Sequence, residues 1–236
     1  WRGKGCGALG DAGGFSFQHS KNITAGEGGI VLTDDEALAA TIRSLSNCGR
    51  GQDSPWYEHY ITGGNFRMTE FQAALLLVQL SRLEEQTERR ARNAAVLNEG
   101  LAGIEGLYTL REDPRATRRS YHLYGMRVVA EELGCSRERF IEALRAEGVP
   151  CGAGYPHPLY RNPLFQRQGA GPRYCPLSCP YYGREMDYTQ LDLPNAEAAC
   201  RQVVWLRQAM LLAGEDDMHA IVAAVRKVAA HAADLQ

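Results

Sequence analysis

The sequence predicts an α/β fold, and three observations carry that prediction. Short apolar runs bounded by glycine, such as residues 13–17 and 30–32, read as strands. Two stretches open on a threonine with an acidic or amide residue three positions later, at Thr33/Glu36 and Thr69/Gln72, the pattern of a capped helix start. After the glycines at 103 and 106 the pattern changes to short strands interspersed with helices, in the style of an α+β unit.

Taken in order, Gly13 and Gly14 open a strand that ends near Phe17, and a polar stretch covers residues 18–24. Gly26, Glu27, Gly28 and Gly29 form a turn, because three glycines in four residues favour positive φ. Residues 30–32 return as a buried strand. The Thr33 cap starts a helix to about Ser46, with Leu38, Ile42 and Leu45 on one face. Residues 47–67, rich in Gly, Asp, Asn and aromatics, make a loop long enough to point to function. Thr69 starts a second helix that reaches about Leu101. Its front, 71–80, is apolar nearly all round and is expected to lie buried; its rear, 84–92, is charged and expected to be solvated. Residues 103–106 mark a boundary, so 1–102 and 103–236 are expected to belong to different domains. The second part reads as strands at 107–110 and 121–129, a helix at 136–147 and a strand at 149–155. An irregular Pro-, Gly- and Tyr-rich segment at 156–195 follows, then two closing helices near 196–209 and 216–233.

Bulk composition bounds the function. A chain 44% hydrophobic and 23% charged is ordinary globular material, and a net charge of -2 without basic blocks points away from nucleic acid and membrane surfaces. No apolar run approaches the length of a bilayer span. Seven cysteines at irregular spacing read as reduced cytoplasmic thiols. Cys175 and Cys179 are separated by three residues, and no second Cys/His pair stands at ligand spacing, which argues against a zinc site. The opening Trp1-Arg2-Gly3-Lys4, with no initiator Met and no signal-peptide pattern, gives the expectation of a piece of a longer protein.

Lys21 is the residue with chemical promise. It stands between a strand and a glycine turn, flanked by the small polar Ser20 and Asn22, a setting that suits an amine joined to an aldehyde cofactor. Ser16, five residues earlier, offers a hydroxyl to a phosphate oxygen. On the residues alone, a solvated surface-loop lysine is the more ordinary reading.

A resemblance changes that balance. Phe15, Ser16 and Phe17, then Lys21, Asn22, Thr24 and the turn at 26–29, resemble the cofactor-lysine signature of the DegT/DnrJ/EryC1/StrS aminotransferase family. Residues 64–74 (Gly-Asn-Phe-Arg-Met-Thr-Glu-Phe-Gln-Ala-Ala) are similar to its second block, and residues 155–160 (Tyr-Pro-His-Pro-Leu-Tyr) to its C-terminal substrate-side block. The resemblance covers essentially the whole chain. It implies a fold-type I PLP-dependent transferase: the C-terminal part of the large α/β domain, followed by a smaller α+β domain. It also implies a homodimer that moves an amino group from glutamate or glutamine to a keto-sugar, often nucleotide-linked, or to a keto-cyclitol. Lys21 would hold the cofactor, pyridoxal 5'-phosphate, and carry the proton. Ser16 would bind the cofactor phosphate, and Asn65 would reach the phosphate in the neighbouring subunit.

Other readings stand beside these. Gly63, Gly64 and Asn65 also fit a plain turn. His122 and His157 face either substrate or the protein interior, and the family often has His where Tyr160 stands. The glycines at 26–29 serve backbone geometry. The acidic partner of the pyridine nitrogen and the aromatic group that stacks on the ring are expected upstream of Trp1, because Asp11 is too near Lys21 in sequence to be assumed a substitute. Two rivals remain. A sugar dehydratase on the same cofactor would have the lysine replaced, typically by His. A non-catalytic regulatory relative would have no use for Lys21, Ser16 and Asn65 together. Residues 47–50 and 157–160 lean toward glutamine-dependent cyclitol aminotransferases.

Overall fold

A computed structural model describes residues 1–166 and 187–235. It is a mixed α/β structure whose chain divides into two compact units, residues 1–92 with 112–122, and residues 93–111 with 123–236. Cys175 and Cys179 lie outside the described residues, as does much of the irregular segment at 156–195.

In the first unit, strand β1 (Gly13–Ser16) pairs antiparallel with β2 (Gly29–Leu32), in the register Gly13 opposite Leu32 and Ser16 opposite Gly29. Helix α1 spans Glu36–Ser46. Its cap differs from the expectation: the Asp35 carboxylate accepts the amides of Ala37 and Leu38, while Thr33 donates its hydroxyl to the Asp11 carbonyl at 2.6 Å. Asp35 wins because a carboxylate at the positive end of a helix is a stronger acceptor than a hydroxyl. Helix α2 runs over Glu70–Leu101, and here the expected box forms: Thr69 Oγ1 accepts the Gln72 amide, and Gln72 Oε1 accepts the Thr69 amide at 3.1 Å.

Two expectations for α2 are corrected. Its front is exposed in this chain, with Phe71 at 86% and Leu77 at 68%, and only Leu76 buried. The flanking strands are similarly open, as Phe15, Ile30, Val31 and Leu32 show. Its rear is not wholly solvated either: Thr87 and Arg90 are buried, Arg90 to 1% exposure, while Glu84, Glu85, Glu88 and Arg89 remain outside. An apolar stripe follows the helix round, so a composition that changes along the axis does not tell which side is covered.

The second unit has the denser core. Strands β3 (Leu107–Thr109), β4 (Leu123–Val128), β5 (Cys151–Ala153) and β6 (Val203–Arg207) form an antiparallel sheet in the order β3-β4-β6-β5. Alternate residues point inward, so Tyr124, Met126 and Val128 bury together with Val204, Leu206 and Leu107. Helices α3 (Ala130–Leu133), α4 (Arg137–Ala146), α5 (Pro194–Gln202) and α6 (Glu215–Ala230) complete the unit. Phe140 and Leu144 of α4, Met218 and Val225 of α6, and Leu97 and Leu101 of α2 are fully buried. Residues 203–207 correct the expectation of one helix to Ala209. The run Val-Val-Trp-Leu forms a central strand with ladders on both sides, where β-branched and aromatic side chains pack well.

Among the described residues no helix is long and apolar enough to cross a membrane, and no three His, Cys, Asp or Glu side chains gather as a metal site.

Candidate active site

The Lys21 segment leaves β1 and folds back on itself. The Ser16 hydroxyl accepts the Gln18 amide at 3.2 Å, and the Gln18 carbonyl accepts the Lys21 amide at 2.9 Å. Ser20 donates both its amide and its hydroxyl to Gln18 Oε1, at 2.9 and 2.7 Å. The segment returns through Thr24, whose hydroxyl donates to the Phe17 carbonyl and accepts the Gly26 amide, each at 3.0 Å. Gly26 at φ 81° and Gly28 at φ 147° then make a turn open only to glycine. Ser16 thus stands at the root of the loop and Lys21 on its crest.

Helix α2 holds this loop from one face. Gln79 accepts the Thr24 amide on its Oε1 at 3.0 Å and donates its Nε2 to the Thr24 carbonyl at 2.7 Å. Gln72, seven residues and two turns earlier, donates Nε2 to the Glu27 carbonyl at 2.8 Å. Sequence reasoning took Gln72 for a helix cap and missed Gln79. The available signal was one amide between Val78 and Leu80 in an otherwise apolar run from Leu75, at heptad spacing from Gln72.

The segment 112–122 approaches from elsewhere in the chain. Its Arg115 carbonyl accepts the Arg2 amide, Arg118 pairs with Glu84 at 2.7 Å, and the Ser120 carbonyl accepts Asn22 Nδ2 at 2.7 Å. Tyr121 takes a left-handed φ of 47°, and His122 follows with Nε2 3.4 Å from Lys21 Nζ. Nδ1 of His122 is buried with no hydrogen-bond partner among the described residues. Burial first, and the Lys21 charge second, hold the imidazole below its ordinary value near 6.5, which favours the uncharged ring.

Asn65 belongs to a different loop of the same unit. Residues 47–66 are pinned to the end of α1: the Gly64 amide donates to Leu45, Phe66 to Ser46 and Cys48 to Gly64, and Asn47 and Asn65 form an isolated antiparallel bridge. Asn65 is exposed and its Oδ1 accepts Arg67 Nε at 2.9 Å. Gly49, at φ 78°, carries a close approach there, since a Cβ would lie 1.7 Å from the Ile61 carbonyl oxygen. Asp11 is exposed. Residues 155–160 belong to the second unit. Tyr155 meets Trp205 edge-on at 5.5 Å and His157 is exposed. Tyr160 is buried and donates its hydroxyl to Glu197 at 2.5 Å, a structural anchor.

Residues 1–178 match the DegT/DnrJ/EryC1/StrS aminotransferase family. L-glutamine:2-deoxy-scyllo-inosose aminotransferase of Streptomyces paromomycinus is 39% identical over 244 residues, covering 99% of this chain and 56% of that protein. The enzyme of the same name from Micromonospora echinospora is 37% identical, covering 100% of this chain and 57% of its own length. The crystal structure of 3-amino-5-hydroxybenzoic acid synthase superposes with a TM-score of 0.80 at 33% identity, over 98% of this chain and 58% of that one. The chain therefore spans a little over half the length of these relatives. With the family match covering three quarters of its residues, the chain belongs to the DegT/DnrJ/EryC1/StrS aminotransferase family of pyridoxal-phosphate-dependent enzymes.

Proposed function

We propose that the protein carrying this chain transfers an amino group from glutamine or glutamate to a keto-cyclitol or keto-sugar, using pyridoxal 5'-phosphate held by Lys21. The observation that carries the reading is the half-buried Lys21, on a loop tied to α2 by Gln72 and Gln79, with its amine beside a neutral imidazole. The donor set suits the cofactor: a primary amine for its aldehyde and the Ser16 hydroxyl for its phosphate, with the Asn65 amide offered to the phosphate of the neighbouring subunit's cofactor. Relatives named for glutamine and scyllo-inosose substrates support the cyclitol lean. In this reading residues 1–102 close the large cofactor-binding domain, residues 103–236 are the smaller one, and the protein is a cytoplasmic homodimer.

When bound, the cofactor supplies the electron sink that lets the donor's α-proton leave. The rest belongs to the chain. Lys21 Nζ would take that proton and return it to the carbon on the other side of the shared nitrogen, so its loop must stay fixed while its side chain swings. The Thr24–Gln79 pair of hydrogen bonds provides that fixity. An intact Lys21 sets this reading above a dehydratase.

The test is borohydride reduction of the cofactor-loaded protein, expressed from its complete coding sequence, followed by peptide mapping. Label on Lys21 is expected, and label on Lys4 or Lys227 instead would sink the assignment. Lys21→Ala should abolish amination of a keto-cyclitol, by at least about a thousandfold, with the fold retained.

A further inference from the structure

We propose that His122 is a positioning residue that docks the amine of Lys21 before it condenses with the cofactor, accepting an N–H from it through Nε2. The inference rests on the reading of Lys21 given above. Nothing in packing alone asks for a histidine here. Its Nδ1 is buried without a partner among the described residues, a costly state for either an N–H or a lone pair, and a phenyl ring would fill the same space without that cost. The polar ring is instead kept with its other nitrogen 3.4 Å from the amine.

The tautomer follows from the neighbour in its charged form. An ammonium at Lys21 has donors and no lone pair, so opposite it Nε2 keeps its own lone pair and the single proton of the neutral ring sits on Nδ1. A second proton would turn Nε2 into a donor facing a donor. The arrangement thus works as a fixed acceptor. The backbone on both sides is tied: Asn22 donates to Ser120, two residues before His122, so the loop that carries the amine and the segment that carries the imidazole are held in one register. A lysine that must leave and return to the same carbon gains from a defined resting place, because attack rates fall steeply when the nucleophile strays by an ångström.

The experiment follows capture of pyridoxal phosphate by the cofactor-stripped protein, expressed from its complete coding sequence. Borohydride trapping at timed intervals and mass spectrometry give the rate at Lys21, with Lys4 and Lys227 as internal controls. His122→Phe should slow Lys21 capture about tenfold or more and leave the controls unchanged, whereas His122→Gln, whose Oε1 replaces the Nε2 acceptor, should stay within about threefold of the wild type. If the Phe variant fails to fold, His122→Leu replaces it. Equal rates in Phe (or Leu) and wild type, or an equal loss in Phe (or Leu) and Gln, overturn the docking role while Lys21 keeps its own. Wild-type protein that captures cofactor elsewhere than Lys21 overturns both.

Discussion

At the scale of single residues, the environment of a group decides its chemistry more than its type does. Lys21 and His122 are two bases held side by side, and burial plus like charge keep the imidazole uncharged. The cysteines divide on the same principle. Cys135 and Cys151 are buried, and burial pushes both thiols above their ordinary range, so little thiolate forms. Cys6 is exposed. Iodoacetamide at pH 8 should modify Cys6 well before Cys135 or Cys151, and peptide mass spectrometry over a time course reads the order. Modification of Cys151 as fast as Cys6 would mean that β5 opens readily. Lys21 was singled out by the resemblance of its surroundings to the family's cofactor-lysine signature, since its spacing to Ser16 and the glycine turn alone left a surface-loop lysine the more ordinary reading. His122 was legible only as a histidine, because its partner is a hundred residues away and no local pattern carries that distance.

Elements show where local signals suffice and where tertiary pairing overrides them. Helix α2 was readable to its last residue, since the Thr69/Gln72 box fixes one end and the Gly103 turn the other. Strand β6 was not, because Val203 to Leu206 follow a helix without a turn residue. What makes them a strand is the pair of ladders offered by β4 and β5. The burial of the α2 front was misjudged for a related reason: apolar composition tells what a face needs, not whether this chain provides it. The Gln79 clamp gives a test at this scale. Gln79→Leu keeps helix propensity but leaves the Thr24 amide and carbonyl without their partner, at a cost of about 1–3 kcal/mol in loop opening. Hydrogen exchange at Thr24 and Ala25 should quicken by about tenfold to a hundredfold, with β4 and β6 unaffected. Unchanged exchange at Thr24 would show that other bonds hold the loop.

For the whole molecule, the contrast between the two units is the main fact. The second buries a continuous core around Phe140, Leu206 and Met218, while the first leaves Phe71, Leu75, Leu77 and Val78 of α2 and most of β2 in the open. An apolar face of that extent marks a surface made to be covered. The proposed dimer is one cover, and Asn65 offers the assay. Mixed Lys21→Ala and Asn65→Ala subunits should regain up to about half of one dimer's activity, if Asn65 serves the partner's site. Mixtures no better than either variant alone would return Asn65 to its own chain. The division into units has a further consequence for inheritance. Because the chain passes from the first unit to the second within α2, returns at residue 112 and leaves again after His122, the unit boundary corresponds to no single cut in the gene. A crossover between two relatives at codon 123 would transplant β4, β5 and β6 but strand their neighbours Ala94, Leu97, Leu101 and Leu107 with the other parent. Shuffled libraries joined at 123 should therefore yield few folded members.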